Sequence, residues 1–171
     1  MNKTIEEVVA EAAIRDLQMI YCRAVDRMDW ELFRTCFYPD AEFDYGVIYT
    51  GGLEGFIAMG SAGLATYAAT QHFTGNQLVR VTGETAWAEH YAIASHRIDA
   101  TADCPEYDMV TAIRYIDRAE RRNGDWRIAR RELILDWWRL DYEPEAGPGQ
   151  GPIRKRTGRR DRSDTSYVGL S

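Results

Sequence analysis

Residues 123–138 read NGDWRIARRELILDWW, a tight turn followed by a long strand. Asn123-Gly124 is a strong hairpin signal, because both residue types accept positive φ. Side chains alternate between the two faces of a strand, and here one face is mostly apolar. Its members are Ala129, Arg131, Leu133, Leu135 and Trp137. Arg131 is the single charge in that row, so its burial requires an anion from a protein carboxylate or from a ligand.

Three stretches before this strand also alternate and are rich in β-branched and aromatic residues. They cover residues 71–82, 85–99 and 106–120. Still earlier, apolar residues recur at helical intervals. This pattern predicts helices over residues 4–27, 30–36 and 53–69, with a short strand at 41–45. Thr4 and Glu7 have capping-box spacing, and Asp29 can cap the second helix. Helices followed by antiparallel strands indicate an α+β fold.

The chain has 171 residues, which suits one domain. Of its 21 basic and 27 acidic residues, seven basic and five acidic ones follow Trp138, so the body before that point is more acidic, at −8, than the total of −6. An acidic body argues against nucleic-acid binding. No apolar run is long enough for a membrane helix and no basic leader is present, which predicts a cytoplasmic protein without a membrane partner.

The composition changes to Pro, Gly and Arg after the last strand. We therefore predict a domain over residues 1–142 and an extended tail over 143–171. The tail is either a solvated, disordered end or an arm laid over a neighbouring subunit. A basic tail for nucleic acid is the least favoured of these alternatives, given six basic residues between Arg154 and Arg162.

Two residues are candidates for catalysis: the imidazole of His72 and the carboxylate of Asp26. His72 opens the strand 71–82 and shares a predicted face with Thr74, Asn76 and Leu78, and the polar residues of this face are suited to a pocket wall. Asp26 ends the first helix, where a negative charge is unfavourable unless a partner opposes it. Such a partner is His72 or Arg131. On the residues alone, His72 is more often structural than catalytic.

Other chemistries have little support in the sequence. His90 and His96 lie six strand residues apart, about 20 Å, which is too far for one metal ion. Cys22, Cys36 and Cys104 form no metal or redox motif. There is no glycine-rich phosphate loop and no nucleophile elbow. We therefore predict no metal and no cofactor.

Three segments together resemble the SnoaL-like group of the nuclear transport factor 2 superfamily. They are AAIRDLQMIYCRAVDRMDWELFRTCFYPDAEFDY (12–45), HFTGN (72–76) and the strand 123–138. The resemblance covers residues 5–138 and implies a cone-shaped α+β barrel, with a curved, mostly antiparallel sheet around three helices and an apolar pocket between them. The residues available to line this pocket are Phe33, Phe43, Tyr45, Thr74, Asn76, Leu133 and Trp137.

The family's hexachlorocyclohexane dehydrochlorinase, bile acid dehydratase and scytalone dehydratase types remove a small leaving group without a cofactor. Their His–Asp base falls on His72 and Asp26, and their arginine falls on Arg131. Tyr21 stands where bile acid dehydratase has a tyrosine; from the residues alone it is a core aromatic. The resemblance thus implies that Asp26 orients His72 as a base, while Arg131 and Tyr21 stabilise negative charge.

The function expected is a dehydratase-type lyase acting on a small cyclic or aromatic apolar molecule. Because fold does not determine function, an isomerase or polyketide cyclase is the next alternative. A non-catalytic small subunit of a ring-hydroxylating dioxygenase, or a ligand-binding protein, follows. The superfamily also implies a homo-oligomer, either a dimer or a trimer.

Overall fold

The computed structural model describes residues 3–142 and 158–168 and contains three helices in the N-terminal half. They are α1 (Ile5–Asp26), α2 (Trp30–Thr35) and α3 (Leu53–Leu64). The predicted caps are present: Thr4 and Glu7 form a reciprocal capping box, and Asp29 accepts from the Leu32 amide. Only α3 is clearly shorter than predicted; it ends at Leu64 rather than residue 69, and its glycines weaken a helix.

Six strands form one curved sheet. They are β1 (Phe37–Asp44), β2 (Thr50–Gly52), β3 (Ala69–Thr82), β4 (Thr85–Ile98), β5 (Tyr107–Arg122) and β6 (Asp125–Tyr142). Their order is β2-β1-β6-β5-β4-β3. All pairs are antiparallel except β1 with β6, which is parallel. The predicted α+β fold is confirmed, although the sheet is open at β2 and β3 rather than closed into a barrel.

The hairpin between β5 and β6 forms where the sequence predicted it. Asn123 and Gly124 have φ values of 54° and 94°, the positive values that this two-residue turn requires.

Irregularities in the sheet overturn part of the predicted face assignment. In β6, Leu135 pairs with Ile113 and Trp137 pairs with Ala112, so Asp136 is an extra residue. Adjacent residues of β5 face opposite ways. Trp137 therefore lies on the convex face, opposite Leu135 and Arg131, and the prediction of one continuous row was wrong. A similar irregularity after Thr74 moves Leu78 off the face of His72.

The core lies between the helices and the concave face of the sheet and is dominated by aromatic rings. Phe33, Phe37, Phe43 and Phe56 stack at centroid distances of 4.4–6.3 Å. Such rings contribute both buried apolar area and specific pair geometry. They fill one end of the concave space and leave the end near Asp26 to polar groups.

Part of the predicted tail packs on the body of the same chain. Tyr167 Oη donates to Asp29 Oδ2 at 2.9 Å and Arg162 donates to Oδ1 at 3.0 Å. Arg27 donates to the carbonyl of Arg159 at 2.6 Å. We call residues 158–168 the returning segment. The remaining part of the predicted tail, 143–157 and 169–171, lies outside the described residues.

Candidate active site

His72 and Asp26 form a hydrogen-bonded pair between the end of α1 and the start of β3. His72 Nδ1 lies 2.7 Å from Asp26 Oδ1. Thr70 Oγ1 donates to the same oxygen at 3.0 Å, and the His72 amide donates to Oδ2 at 2.9 Å. The two side chains are only 6% and 9% exposed. We call Asp26, Thr70 and His72 the dyad cluster.

The local fold explains why Asp26 tolerates its place at a helix C-terminus. The chain turns sharply after Asp26, with Met28 in the left-handed region at φ 52°, and α1 packs against β3. The first residues of β3 therefore present donors to the carboxylate. These three hydrogen bonds offset the unfavourable helix dipole.

A cavity of about 530 Å³ adjoins the dyad cluster, a size typical of small-molecule sites. It is lined by Met19, Cys22, Arg23, Asp26, Arg27, Thr70, Gln71, His72, Phe73 and Thr74. In the described part of the chain, Nε2 of His72 has no hydrogen-bond partner. The cavity thus combines a free imidazole nitrogen with room for a small ligand.

Arg131 finds its anion within the protein, one of the two alternatives left open by the sequence. Its Nε and Nη2 donate to Asp117 Oδ1 and Oδ2 at 2.7 and 2.6 Å, and Nη2 also donates to Gln18 at 2.6 Å. Burial is the largest influence and raises the pKa of Asp117, but the charge and hydrogen bonds of Arg131, together with those of His90, lower it overall. We call Arg131, Asp117 and Gln18 the arginine cluster.

Tyr21 packs against the arginine cluster and is not part of the dyad cluster. Its ring lies 4.1 Å from the Arg131 guanidinium, and its hydroxyl is 3.1 Å from that of Tyr45. Burial raises the pKa of Tyr21, Tyr45 and Tyr115 well above the usual value, so these hydroxyls stay protonated. Gln18 also donates to Thr74 at 3.2 Å, and it thereby connects the arginine cluster to a residue that lines the cavity.

The predicted pocket residues separate into three groups. Thr74 lines the cavity. Phe33, Phe43 and Tyr45 are buried in the aromatic core, with half-buried Leu133 packed against it. Asn76 is exposed, and Trp137 is 46% exposed on the convex face; neither lines this cavity.

His96 is a site residue that the sequence analysis considered only as a metal ligand. Its ring lies 5.5 Å from that of His72 and 4.7 Å from that of Tyr67. Burial and the neighbouring His72 lower its pKa to about 4, so it is neutral at pH 7. The strand pairing could have revealed it, since Thr70 pairs with His96 and His72 with the next concave residue, Ala94.

Among the described residues, no cluster of three His, Cys, Asp or Glu side chains could hold a metal ion. Within the same ranges, no helix combines the length and apolarity needed to span a membrane.

The curved sheet over three helices agrees with the family model that matches most of the chain and defines an α+β protein of the nuclear transport factor 2-like superfamily. More specifically, the chain belongs to the SnoaL-like domain family, whose model matches residues 6–132. This confirms the resemblance inferred from the sequence. No curated protein matches the chain.

Several solved structures share the fold. Hexachlorocyclohexane dehydrochlorinase LinA type 2 is 20% identical with a TM-score of 0.72, and the match covers 84% of this chain and 97% of that one. A scytalone dehydratase-like protein from Novosphingobium aromaticivorans is 22% identical with a TM-score of 0.68, covering 88% and 97%. A protein of unknown function from Nostoc punctiforme is 20% identical with a TM-score of 0.62, covering 80% and 96%. At these identities the likeness shows the fold.

Proposed function

We propose that this protein is a cofactor-independent lyase of the dehydratase or dehydrochlorinase type. The observation that carries the proposal is the 2.7 Å contact between His72 Nδ1 and Asp26 Oδ1 beside a cavity. A neutral imidazole is a suitable base near pH 7, and a carboxylate on Nδ1 fixes which nitrogen is free. Neighbours named as a dehydrochlorinase and a scytalone dehydratase support this reaction class.

In the proposed reaction, Nε2 of His72 takes a proton from a substrate carbon. The electron pair of that C–H bond forms the new double bond, and the leaving group departs from the adjacent carbon with its own bonding pair. Asp26 keeps the Nδ1 proton in place and stabilises the imidazolium that forms. The imidazolium then returns its proton to water or to a departing hydroxide.

Arg131 and Tyr21 have an electrostatic role in this proposal. Arg131 has one nitrogen, Nη1, without a hydrogen-bond partner in the described structure, and it is fully buried. Preorganised donors in a site without water stabilise developing charge strongly. Because Arg131 is already paired with Asp117, we assign it a smaller effect on the rate than His72.

The proposed substrate is a small cyclic or aromatic molecule, and the assembly a homodimer or homotrimer. The convex face supports self-association, because Phe73 and Trp137 are 66% and 46% exposed there. Large exposed apolar patches commonly mark interaction surfaces.

A deuterium-exchange screen over small cyclic ketones and alcohols tests the base assignment. We expect His72→Ala to lower the exchange rate by about 10²–10⁴-fold, and the His72→Ala/Asp26→Asn double variant to be no slower, since the two residues act as a unit. Asp16→Asn is the control, as it changes an exposed carboxylate on the same helix. Equal exchange by wild type and His72→Ala would refute the proposal.

An isomerase or cyclase is the second candidate, and one observation favours it. Apart from the dyad, the residues lining the cavity include no carboxyl group or imidazole that could act as a second acid. An isomerase needs no second acid, because the same base can return the proton to the substrate. Product analysis by NMR separates the two reactions. Loss of water or halide indicates elimination, whereas a shifted double bond or a new ring at unchanged composition indicates isomerisation or cyclisation.

A further inference from the structure

Several arginine side chains in this protein use one edge of the guanidinium to hold a carboxylate. That edge carries Nε and Nη2, which together match the two oxygens of a carboxylate. Among the described residues there are five such pairs: Arg131 with Asp117, Arg97 with Asp108, Arg34 with Glu54, Arg114 with Asp136, and Arg121 with Glu84. The pattern holds both in the core and at the surface.

Arg23 and Arg160 depart from this pattern. In both side chains Nε and Nη2 are buried, and neither nitrogen has a hydrogen-bond partner among the described residues. Leaving a buried charged donor unpaired costs at least as much as a lost hydrogen bond. Unsatisfied groups of this kind in a native protein call for a missing partner, and the partner that fits the edge is a carboxylate.

Of the two arginines, Arg23 lines the cavity beside the dyad cluster, whereas Arg160 is not among the lining residues and connects to His72 through Tyr67 and His96. Arg23 precedes Asp26 by three residues on α1. The ring of Tyr167, from the returning segment, lies 4.4 Å from the Arg23 guanidinium and covers it.

Arg160 is held in place by the end of α3. Its Nη1 donates to the carbonyls of Leu64 and Tyr67 at 2.7 and 2.6 Å, a favourable place for a cation. The Tyr67 ring packs on His96, which in turn contacts His72. Burial lowers the Arg160 pKa, and the nearby Asp26 carboxylate opposes this shift. The Nε and Nη2 edge is therefore preorganised near the base but unoccupied by any described residue.

We propose that the cavity beside His72 and Asp26 binds its substrate through a carboxylate group, received by the free guanidinium edges of Arg23 and Arg160. This rests on the proposed function and narrows its substrate class to small cyclic carboxylic acids. Because protein atoms cover both edges, including the Tyr167 ring over Arg23, the returning segment shifts as the acid enters. A guanidinium beside the substrate carboxylate also favours removal of a proton from the adjacent carbon.

Titration calorimetry with cyclohexanecarboxylate and cyclohexylmethanol tests the proposal, because these probes share a ring and differ in charge. We expect the wild type to bind the carboxylate about tenfold more tightly. Arg23→Lys and Arg160→Lys should each remove most of the preference for the carboxylate, because lysine keeps the positive charge but cannot form a bidentate pair with a carboxylate. Affinity for the alcohol should stay unchanged, which reports that the cavity is intact.

Arg159→Lys is the matched control, since Arg159 neighbours Arg160 but its guanidinium contacts only exposed Ser163. Equal binding of the two probes by the wild type would overturn the proposal, as would a carboxylate preference that survives both lysine substitutions. Binding of the two probes is measured separately from proton transfer by His72. We expect His72→Ala to retain the preference for the carboxylate over the alcohol. If the protein instead turned over a neutral substrate through His72, the proposed function would stand and the carboxylate proposal would be wrong.

Discussion

The dyad cluster and the arginine cluster each hold a buried carboxylate, but they satisfy it differently. Asp117 receives two hydrogen bonds from Arg131, whose side chain is entirely buried. Asp26 receives its bonds from a hydroxyl, an amide and an imidazole whose second nitrogen remains free. In the first arrangement both carboxylate oxygens are held within the protein. The second leaves Nε2 of a cavity-lining histidine without a partner among the described residues, as the proposed base requires.

The largest effect on the free energy of unfolding is expected when the Arg131–Asp117 pair of the arginine cluster is broken. Asp117→Asn leaves the Arg131 charge buried without a counter-ion, which should lower the free energy of unfolding by about 3–5 kcal/mol. Urea denaturation measures this loss. Asp136→Asn serves as control, because it breaks an exposed pair with Arg114 and should cost under about 1 kcal/mol. Similar losses for the two variants would mean that burial does not distinguish the pairs.

A smaller effect should appear as a pH dependence of the free energy of unfolding, caused by His96 beside the dyad cluster. The His96 pKa is about 4 in the folded chain against about 6.5 when unfolded. Between these values the unfolded chain binds a proton that the folded chain does not, so stability falls as the pH drops from about 6.5 to 4, by up to about 3 kcal/mol. Urea midpoints across this range measure the slope.

The variant His96→Asn isolates that contribution, since His72 and Asp26 are present in both proteins. We expect a flatter profile for the variant below pH 6.5. Identical profiles would show that His96 takes up its proton as easily in the folded chain as in the unfolded one.

The smallest effect concerns one bond to the Asp26 carboxylate. Thr70→Val removes a single donor at nearly constant volume and should lower the free energy of unfolding by about 1 kcal/mol. If the bond also orients Asp26, proton transfer by His72 should slow. Thr74→Val is the comparison, because Thr74 lines the cavity but bonds Gln18 and Cys22 instead. A slower rate only in Thr74→Val would argue against an orienting role for Thr70.

Local signals in the sequence were sufficient for most elements of the fold. The capping box at Thr4, the Asp29 cap and the Asn123-Gly124 turn depend on neighbours within a few residues, and all three are present. The contact between Asp26 and His72 was anticipated from an unfavourable charge at a helix end and from family resemblance. Its geometry could not be derived from either.

The missed features of the sheet depend on how its strands align. The extra residue Asp136 has no sequence signal of its own, yet it reverses the face of every later residue in β6, including Trp137. Asp117 as the partner of Arg131 follows only from the β5–β6 register. The parallel pairing of β1 with β6 joins distant segments, and no local pattern encodes it.

The returning segment also bears on the order in which the protein folds. Its bonds to Arg27 and Asp29 join residues that lie 132 to 138 positions apart, so closing them costs more chain entropy than the neighbouring hairpins. During synthesis they cannot form until every strand of the sheet has been made. The residues of the dyad cluster, between positions 26 and 72, are therefore synthesised long before the segment that carries Arg160.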